Sequence, residues 1–485
     1  MATSTRSAWA ACAAIVVALM IWPADVPWGG DDVVLISRAL LANHEHRLID
    51  VGLSGTFHLP YGPLPEQIYQ CLLAMTHNPL LLASLHAGLL AGATAAGLLW
   101  LTRTLQWSPW LAVMGMLSPF FWFYTRLIWD NTFAIPVGTV FLAAYAAYIR
   151  RPSRAPFLAA VACALMLPLI HPMTIPLVAA VAAHAGFRCR EGFRRWWPGV
   201  AALLLLAAIS GGRYVVQCAE HRSYGPLAAA DWYQKFRLSC AGGMAFPLQA
   251  GQLFSAYSYF DDRYAQIWPA STLRWRICSD FSAAAFGLAW IGMAMSLTRV
   301  RAGWRGSDAA SALAAISIVA LGLQGVMDAA LRIAPFPHYF CGTWIACWIC
   351  LCMGVRRLGR LGTGVGITYA ASLIVSSGVV GLSVHRYGGG RDWYGFSLGS
   401  QLTAAQELSK FKDSHAQTDV RQLAENPYSL ALLRRLIARP AERFSDGHLM
   451  VRWSDPDSPE MRLEVSEQPG PIPAGAVQIP TAILP

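Results

Sequence analysis

PLLLASLHAGLLAGATAAGLLWL, residues 79–101, contains no Asp, Glu, Lys or Arg. Wound as a helix rising ~1.5 Å per residue, a run of this length crosses the hydrocarbon core of a bilayer. It is apolar on every face, so it has no polar side to turn to water. Working outward, similar runs lie near 8–28, 109–125, 132–149, 156–170, 173–187, 198–217, 281–298, 309–331, 338–355 and 362–384. The expectation is an all-α polytopic membrane protein with about eleven transmembrane helices.

Composition agrees. The 485 residues are 55% hydrophobic and 13% charged, with a mean hydropathy of +0.41, which leaves too little polar surface for a water-solvated globule. The net charge of +10 raises the question of nucleic acid. Most arginines, however, sit in short clusters between apolar runs, and no nucleic-acid partner is expected. With the N-terminus inside, alternate loops hold Arg103; Arg150, Arg151 and Arg154; Arg188, Arg190, Arg194 and Arg195; Arg299, Arg301 and Arg305; and Arg356, Arg357 and Arg360. That order satisfies the positive-inside rule at every turn. It requires 156–187 to be two short spans broken at His171 and Pro172, since one bent span would invert every later loop.

The membrane domain is then 1–384, with extracytoplasmic loops at 29–78 and 218–280 and an extracytoplasmic tail at 385–485. Trp22, Pro23 and Asp25 offer no small-x-small cleavage site, so the first run is expected as a retained helix. In the tail, Gly388–Gly390 form a hinge, amphipathic helices are expected near 402–411 and 428–437, and 450–465 alternates like a strand pair. A small α+β element follows from that pattern. Cys341, Cys347, Cys350 and Cys352 lie among apolar residues and read as small buried hydrophobes. Cys218, Cys240 and Cys278 share one outside loop and offer a disulfide whose pairing stays open.

The first outside loop begins WGGDDVVLIS, residues 28–37. The adjacent carboxylates of Asp31 and Asp32 repel, which raises the pKa of one and suits it to accept a proton near neutrality. The same two acids equally suit the start of a helix over 33–41. A further acid, Asp130, closes LSPFFWFYTRLIWDN (117–131) at the outside turn between the third and fourth spans. So close to lipid it is either functional or paired with Arg126, four residues before it.

The first helix, the acidic pair, the Pro-rich stretch HLPYGPLPEQIY (58–69) and the SP…YTRLIWDN turn, in that order, resemble the GT-C superfamily of membrane glycosyltransferases. The likeness is to glycosyltransferase family 39, which includes protein O-mannosyltransferases and bacterial lipid A aminoarabinose transferases. This chain has Asp-Asp where that family usually has Asp-Glu, and Thr-Arg where it has Ser-Arg. Beyond about residue 200 the resemblance rests on architecture and the loop LRIAPFPHYF (331–340).

The resemblance implies inverting sugar transfer from a polyprenyl-phosphate donor to a lipid, glycan or protein acceptor, at the periplasmic face of a bacterial inner membrane. It makes Asp31 the base, Asp32 a positioning acid, and Asp130 the group that orients the acceptor or holds a cation. A leaving phosphate needs cationic donors, and Arg126, Arg332 and His338 are expected at outside helix ends. Snorkelling to headgroups and the aromatic belt are the plainer roles for those three. His58 and Tyr61 are candidate substrate contacts. No cofactor is certain; a divalent Mg or Mn ion on Asp31 and Asp130 is the open alternative. The other function class is a transporter or lipid-linked glycan flippase, for which Gln324 and Asp328 in the 309–331 run are the only mid-membrane candidates.

Overall fold

In lipid a peptide group has no water to bond, so apolar runs must satisfy their own backbone, and they do so as helices. The computed structural model describes residues 2–28, 31–53, 60–220, 300–305, 308–331, 337–386 and 397–410, with short pieces between 287 and 297 and between 432 and 479. The first eleven helices are α1 (Ala2–Met20), α2 (Asp31–His44), α3 (Leu64–Met75), α4 (Pro79–Thr104), α5 (Trp110–Met116), α6 (Pro119–Arg126), α7 (Ala134–Arg150), α8 (Arg154–Ile170), α9 (Ile175–Arg188), α10 (Arg190–Arg195) and α11 (Trp197–Glu220). Helices Val300–Arg305, Ala309–Leu331, Trp344–Arg357, Gly359–Arg386 and Leu398–Lys410 follow. Three short strands, Leu449–Trp453, Leu463–Ser466 and Ala476–Ile479, pair antiparallel with the first in the middle. Val451 faces Val465 on one side and Val477 on the other.

Among the described residues, four helices are long and apolar enough to cross a membrane: Pro79–Thr104, Asn131–Arg150, Trp197–Glu220 and Ala309–Asp328. Thr5–Met20, Arg154–Ile170 and Pro172–Gly186 are apolar but shorter. The third expected span is in fact two short helices. Pro119 brings no N–H and would crowd the carbonyl four residues back, so α5 stops, and the Ser118 side chain caps α6 by accepting from Phe121 N at 3.2 Å. The pair at 156–187 is two helices, as its His171-Pro172 break requires. Most of 281–298 and of the loop 218–280, with Cys240 and Cys278, lies outside the described residues.

The segment between α1 and α4 contains two helices, α2 and α3. Apolar positions of α2 (Val33, Leu35, Ile36, Ala39, Leu40) are buried. Polar residues of α3 do the joining. Gln70 accepts from Ile49 N at 3.1 Å and donates to the Arg47 carbonyl at 2.8 Å, while Asn43 Nδ2 donates to the Gln70 carbonyl at 2.8 Å. Gln67 Nε2 donates both to Ile49 O at 2.7 Å and to Ser210 O at 2.9 Å, next to the kink of α11 at Gly211. Residues 52–53 and 61 exchange backbone hydrogen bonds (Gly52 N to Tyr61 O, 3.0 Å; Tyr61 N to Leu53 O, 2.6 Å).

Gly62 then passes directly over the end of α8. A Cβ there would lie 1.9 Å from the Leu169 carbonyl oxygen, backbone against backbone. Gly62→Ala is expected to cost about 1–3 kcal/mol through this overlap and to lower the thermal unfolding midpoint of the purified protein. Gly92→Ala, in α4 with open space around it, serves as the control and is expected to leave the midpoint unchanged or slightly raised.

Candidate functional site

The acids meet where the start of α2 faces the turn between α6 and α7. Both come from sequence that cannot continue a membrane helix: the acidic pair after α1, and the irregular stretch after Arg126. The indole Nε1 of Trp129 donates to Asp31 Oδ2 at 2.9 Å, joining residues 98 positions apart. Thr132 Oγ1 donates to the Trp129 carbonyl at 2.6 Å, and Asp130 Oδ1 accepts from Asn131 N at 2.7 Å. Asp130 is 2% exposed and its Oδ2 has no hydrogen-bond partner.

Electrostatics follow from this crowding. Burial pushes the Asp31 carboxyl up, and the Trp129 N–H partly offsets that by favouring the charged form. Burial pushes Asp130 well above the usual carboxylate range, and the nearby charges of Asp31 and Glu66 add to it. Glu66 in α3 is fully buried and is raised to about 7 by burial, with Arg38 and Arg47 pulling the other way. Arg38 Nε lies 3.4 Å from Glu66 Oε1, while its Nη2 donates to Val51 O at 2.6 Å. Tyr69, one turn after Glu66, is kept a neutral phenol by burial and then by the charges of Asp32 and Asp130. Asp32 is itself buried. Four carboxyls therefore share one poorly hydrated region.

The cationic candidates divide. His338 sits in the short 3-10 turn Pro337–Cys341, its ring 4.9 Å from that of Trp129, so it stands beside the acid cluster. Arg126 faces α1: its Nη2 donates to Trp22 O at 2.7 Å and Ile21 O at 3.3 Å, and its guanidinium lies over Trp122. Tyr61 packs its ring 4.3 Å from that of His171 at the α8–α9 break. Arg332 and His58 lie outside the described residues.

No protein family matches the chain by sequence, and no curated protein does. By structure the chain is similar to ArnT from Cupriavidus metallidurans, solved bound to undecaprenyl phosphate. The TM-score is 0.52 at 12% identity, over 94% of this chain and 97% of that one. The chain has the GT-C fold. With its long apolar helices, it is a multi-pass membrane protein.

Sequence reasoning overlooked Glu66, Tyr69, Trp129 and His86. The first two carry a signal in the sequence: Glu66, Gln67, Tyr69 and Gln70 recur at helical spacing at the end of the Pro-rich stretch and just beyond it. Trp129 adjoins Asp130 but reads as an aromatic-belt residue. Among the described residues, no three His, Cys, Asp or Glu side chains converge as a metal would require; Asp31 and Asp130 alone stay as candidates to share an ion.

Glu66 makes a pH prediction. Its folded pKa, about 7, is above its ordinary value of 4.5, so folding favours the protonated form. Its stabilising contribution is complete below about pH 4.5 and is lost as pH rises through about 7. Glu66→Gln mimics the protonated acid, and it is expected to raise stability at about pH 8 by roughly 3 kcal/mol while changing little near pH 4.5. Thermal unfolding of both proteins across that range checks it.

Proposed function

We propose that the chain is an inverting glycosyltransferase that moves a sugar from a polyprenyl-phosphate donor to a hydroxyl or amine acceptor. We place the active site on the periplasmic side of a bacterial inner membrane, in an eleven-span arrangement. The observation that carries the reading is the Trp129–Asp31 hydrogen bond, which sets a desolvated base against a second acid at the outer end of the bundle. The fold shared with a protein that binds undecaprenyl phosphate supports the donor class.

The geometry suits an in-line displacement. The acceptor O–H or N–H hands its proton to Asp31 as its lone pair attacks the anomeric carbon, and the prenyl phosphate leaves from the opposite face. Trp129 holds Asp31 Oδ2, which leaves Oδ1 for the acceptor. A base with a pKa raised by burial is the better proton acceptor at neutral pH. Asp130, whose pKa lies higher still, stays protonated and offers its O–H from Oδ2 to the second lone pair of a hydroxyl acceptor; an amine has none to spare and would leave that O–H for the sugar. Asp32 holds Asp31 in register.

His338 and Arg332 are the cations proposed for the departing phosphate, His338 because it packs on Trp129. Arg126 joins them through the end of α1 that it anchors. Tyr61 and His58 stay proposed as donor or acceptor contacts. No step requires a metal ion.

The rival reading, transport or flipping, rests on Gln324 and Asp328. Both are buried in the Ala309–Leu331 helix, with Gln324 Nε2 donating to Asp328 Oδ1 at 3.1 Å. The same amide lies 3.9 Å from Met173 Sδ, so this pair is tied within one helical turn and to the α8–α9 break.

The test is transfer from a mixed pool of polyprenyl-phosphate sugars in purified membranes. Asp31→Asn is expected to lose transfer by at least about 100-fold while remaining inserted; equal product from both proteins would remove Asp31 from the chemistry. Trp129→Phe deletes a donor that favours the carboxylate, so the acid limb of the pH–rate profile is expected at higher pH than in the wild type. A limb that stays in place would break the link between the indole and the base.

A further inference from the structure

The irregular turn that delivers Trp129 and Asp130 is tied to α4 by one side chain. His86, in the middle of an apolar helix and fully buried, has both ring nitrogens engaged: Nε2 lies 2.9 Å from the Leu127 carbonyl oxygen and Nδ1 lies 3.1 Å from the Tyr69 hydroxyl. A carbonyl only accepts, so Nε2 carries the proton. Nδ1 must then accept, and Tyr69 is the donor. Both assignments are forced by one carbonyl. The edge of Phe133 closes the arrangement, with ring centroids 5.5 Å from Tyr69 and 5.4 Å from His86.

The bridge ends at the chemistry on both sides. Leu127 is two residues before Trp129, whose indole holds Asp31, and three before Asp130. Tyr69 belongs to α3, the helix that carries Glu66, and its hydroxyl feels the charges of Asp32 and Asp130. Thus α3, α4 and the α6–α7 turn, which share no continuous hydrogen-bonded backbone, meet at one imidazole.

We infer that His86 and Tyr69 are positioning residues of the proposed transfer, fixing the turn that sets Asp130 and, through Trp129, Asp31. This rests on the reading of those acids given above. Neither residue touches the reacting atoms. Their effect is on distance: a reacting group misplaced by ~1 Å costs about 100-fold in rate. A histidine that merely fills the core would be replaceable by any apolar side chain of its volume.

The experiment compares wild type, His86→Phe, His86→Gln and Tyr69→Phe as full-length protein in nanodiscs. Glutamine keeps both functions, since its amide N–H reaches the carbonyl and its Oε1 accepts from Tyr69. Phenylalanine keeps only bulk. His86→Phe is expected to lower kcat about 100-fold with the KM for the prenyl donor within about twofold, and His86→Gln is expected to recover most of that loss. Tyr69→Phe is expected to fall between them.

Hydrogen exchange of the peptide spanning 127–133 is read on the same samples and does not depend on turnover. Protection is expected to drop in His86→Phe and return in His86→Gln. A His86→Phe enzyme as fast as wild type, a loss confined to KM, a His86→Gln protein no better than His86→Phe, or exchange that is the same in all four overturns the inference. If the wild type itself transfers no sugar from any donor, the proposed function fails, and the exchange comparison still decides whether the bridge fixes the turn.

Discussion

A carboxyl group placed where water is scarce must find a proton, a cation or hydrogen-bond donors, because leaving it charged and bare costs several kcal/mol. The end of the bundle that carries these acids is arranged around that constraint. Asp31 takes an indole N–H, Glu66 takes Arg38 at 3.4 Å, and Asp130 takes a backbone N–H on one oxygen. Asp130 Oδ2 and both Glu66 oxygens make no hydrogen bond, and burial raises the pKa of both carboxyls, which favours their protonated forms. A cluster that folds best with protons on it is also one that can exchange them with a substrate.

The same constraint explains why the first loop is so heavily cross-tied. Holding several acids together is unfavourable, so the scaffold that carries them must be rigid at their positions. Gln67, Gln70 and Asn43 fasten α2 to α3 and α3 to the kink of α11 through side-chain amides. Each such bond contributes only about 1 kcal/mol net. Their number, and the absence of any slack at Gly62 over Leu169, make the loop behave as part of the bundle.

How much of this was legible in the sequence depends on which physical signal a residue carries. Membrane helices announce themselves by hydropathy alone, and α4, α7, α11 and Ala309–Leu331 fall where their apolar runs do. Asp31 and Asp130 were visible because an acid beside lipid is costly, and the structure brings them into mutual electrostatic contact. The break at Ser118-Pro119 was overlooked since hydropathy does not register a missing N–H. His86 was hidden for a different reason. Within an apolar run one histidine is indistinguishable from a satisfied core residue until the carbonyl of Leu127 and the hydroxyl of Tyr69, far away in sequence, are placed around it. Arg126, marked by its charge for phosphate, also holds the carbonyls of Ile21 and Trp22 just after α1, a tie that charge and spacing did not reveal.

That end of α1 also explains what the C-terminal portion does for the site. Trp22 adopts a left-handed conformation (φ 57°) and stacks on His385 at 4.0 Å, and His385 Nδ1 lies 2.9 Å from Asp25 Oδ2. That contact is half open to solvent on the histidine side, and a solvent-exposed contact of that kind contributes only about 0–1 kcal/mol. The stronger hold is buried. Leu398 N donates to Val26 O at 2.8 Å, Gln401 donates to the Trp28 carbonyl, and Gly399 lets the Leu398–Lys410 helix settle against Ala24. Residues 22–28 closely precede Asp31 in sequence, so the Leu398–Lys410 helix secures the segment before that acid. The Leu398–Lys410 helix and the segment after α1, far apart in sequence, are thus fastened to one another, and that tie lies next to the acids.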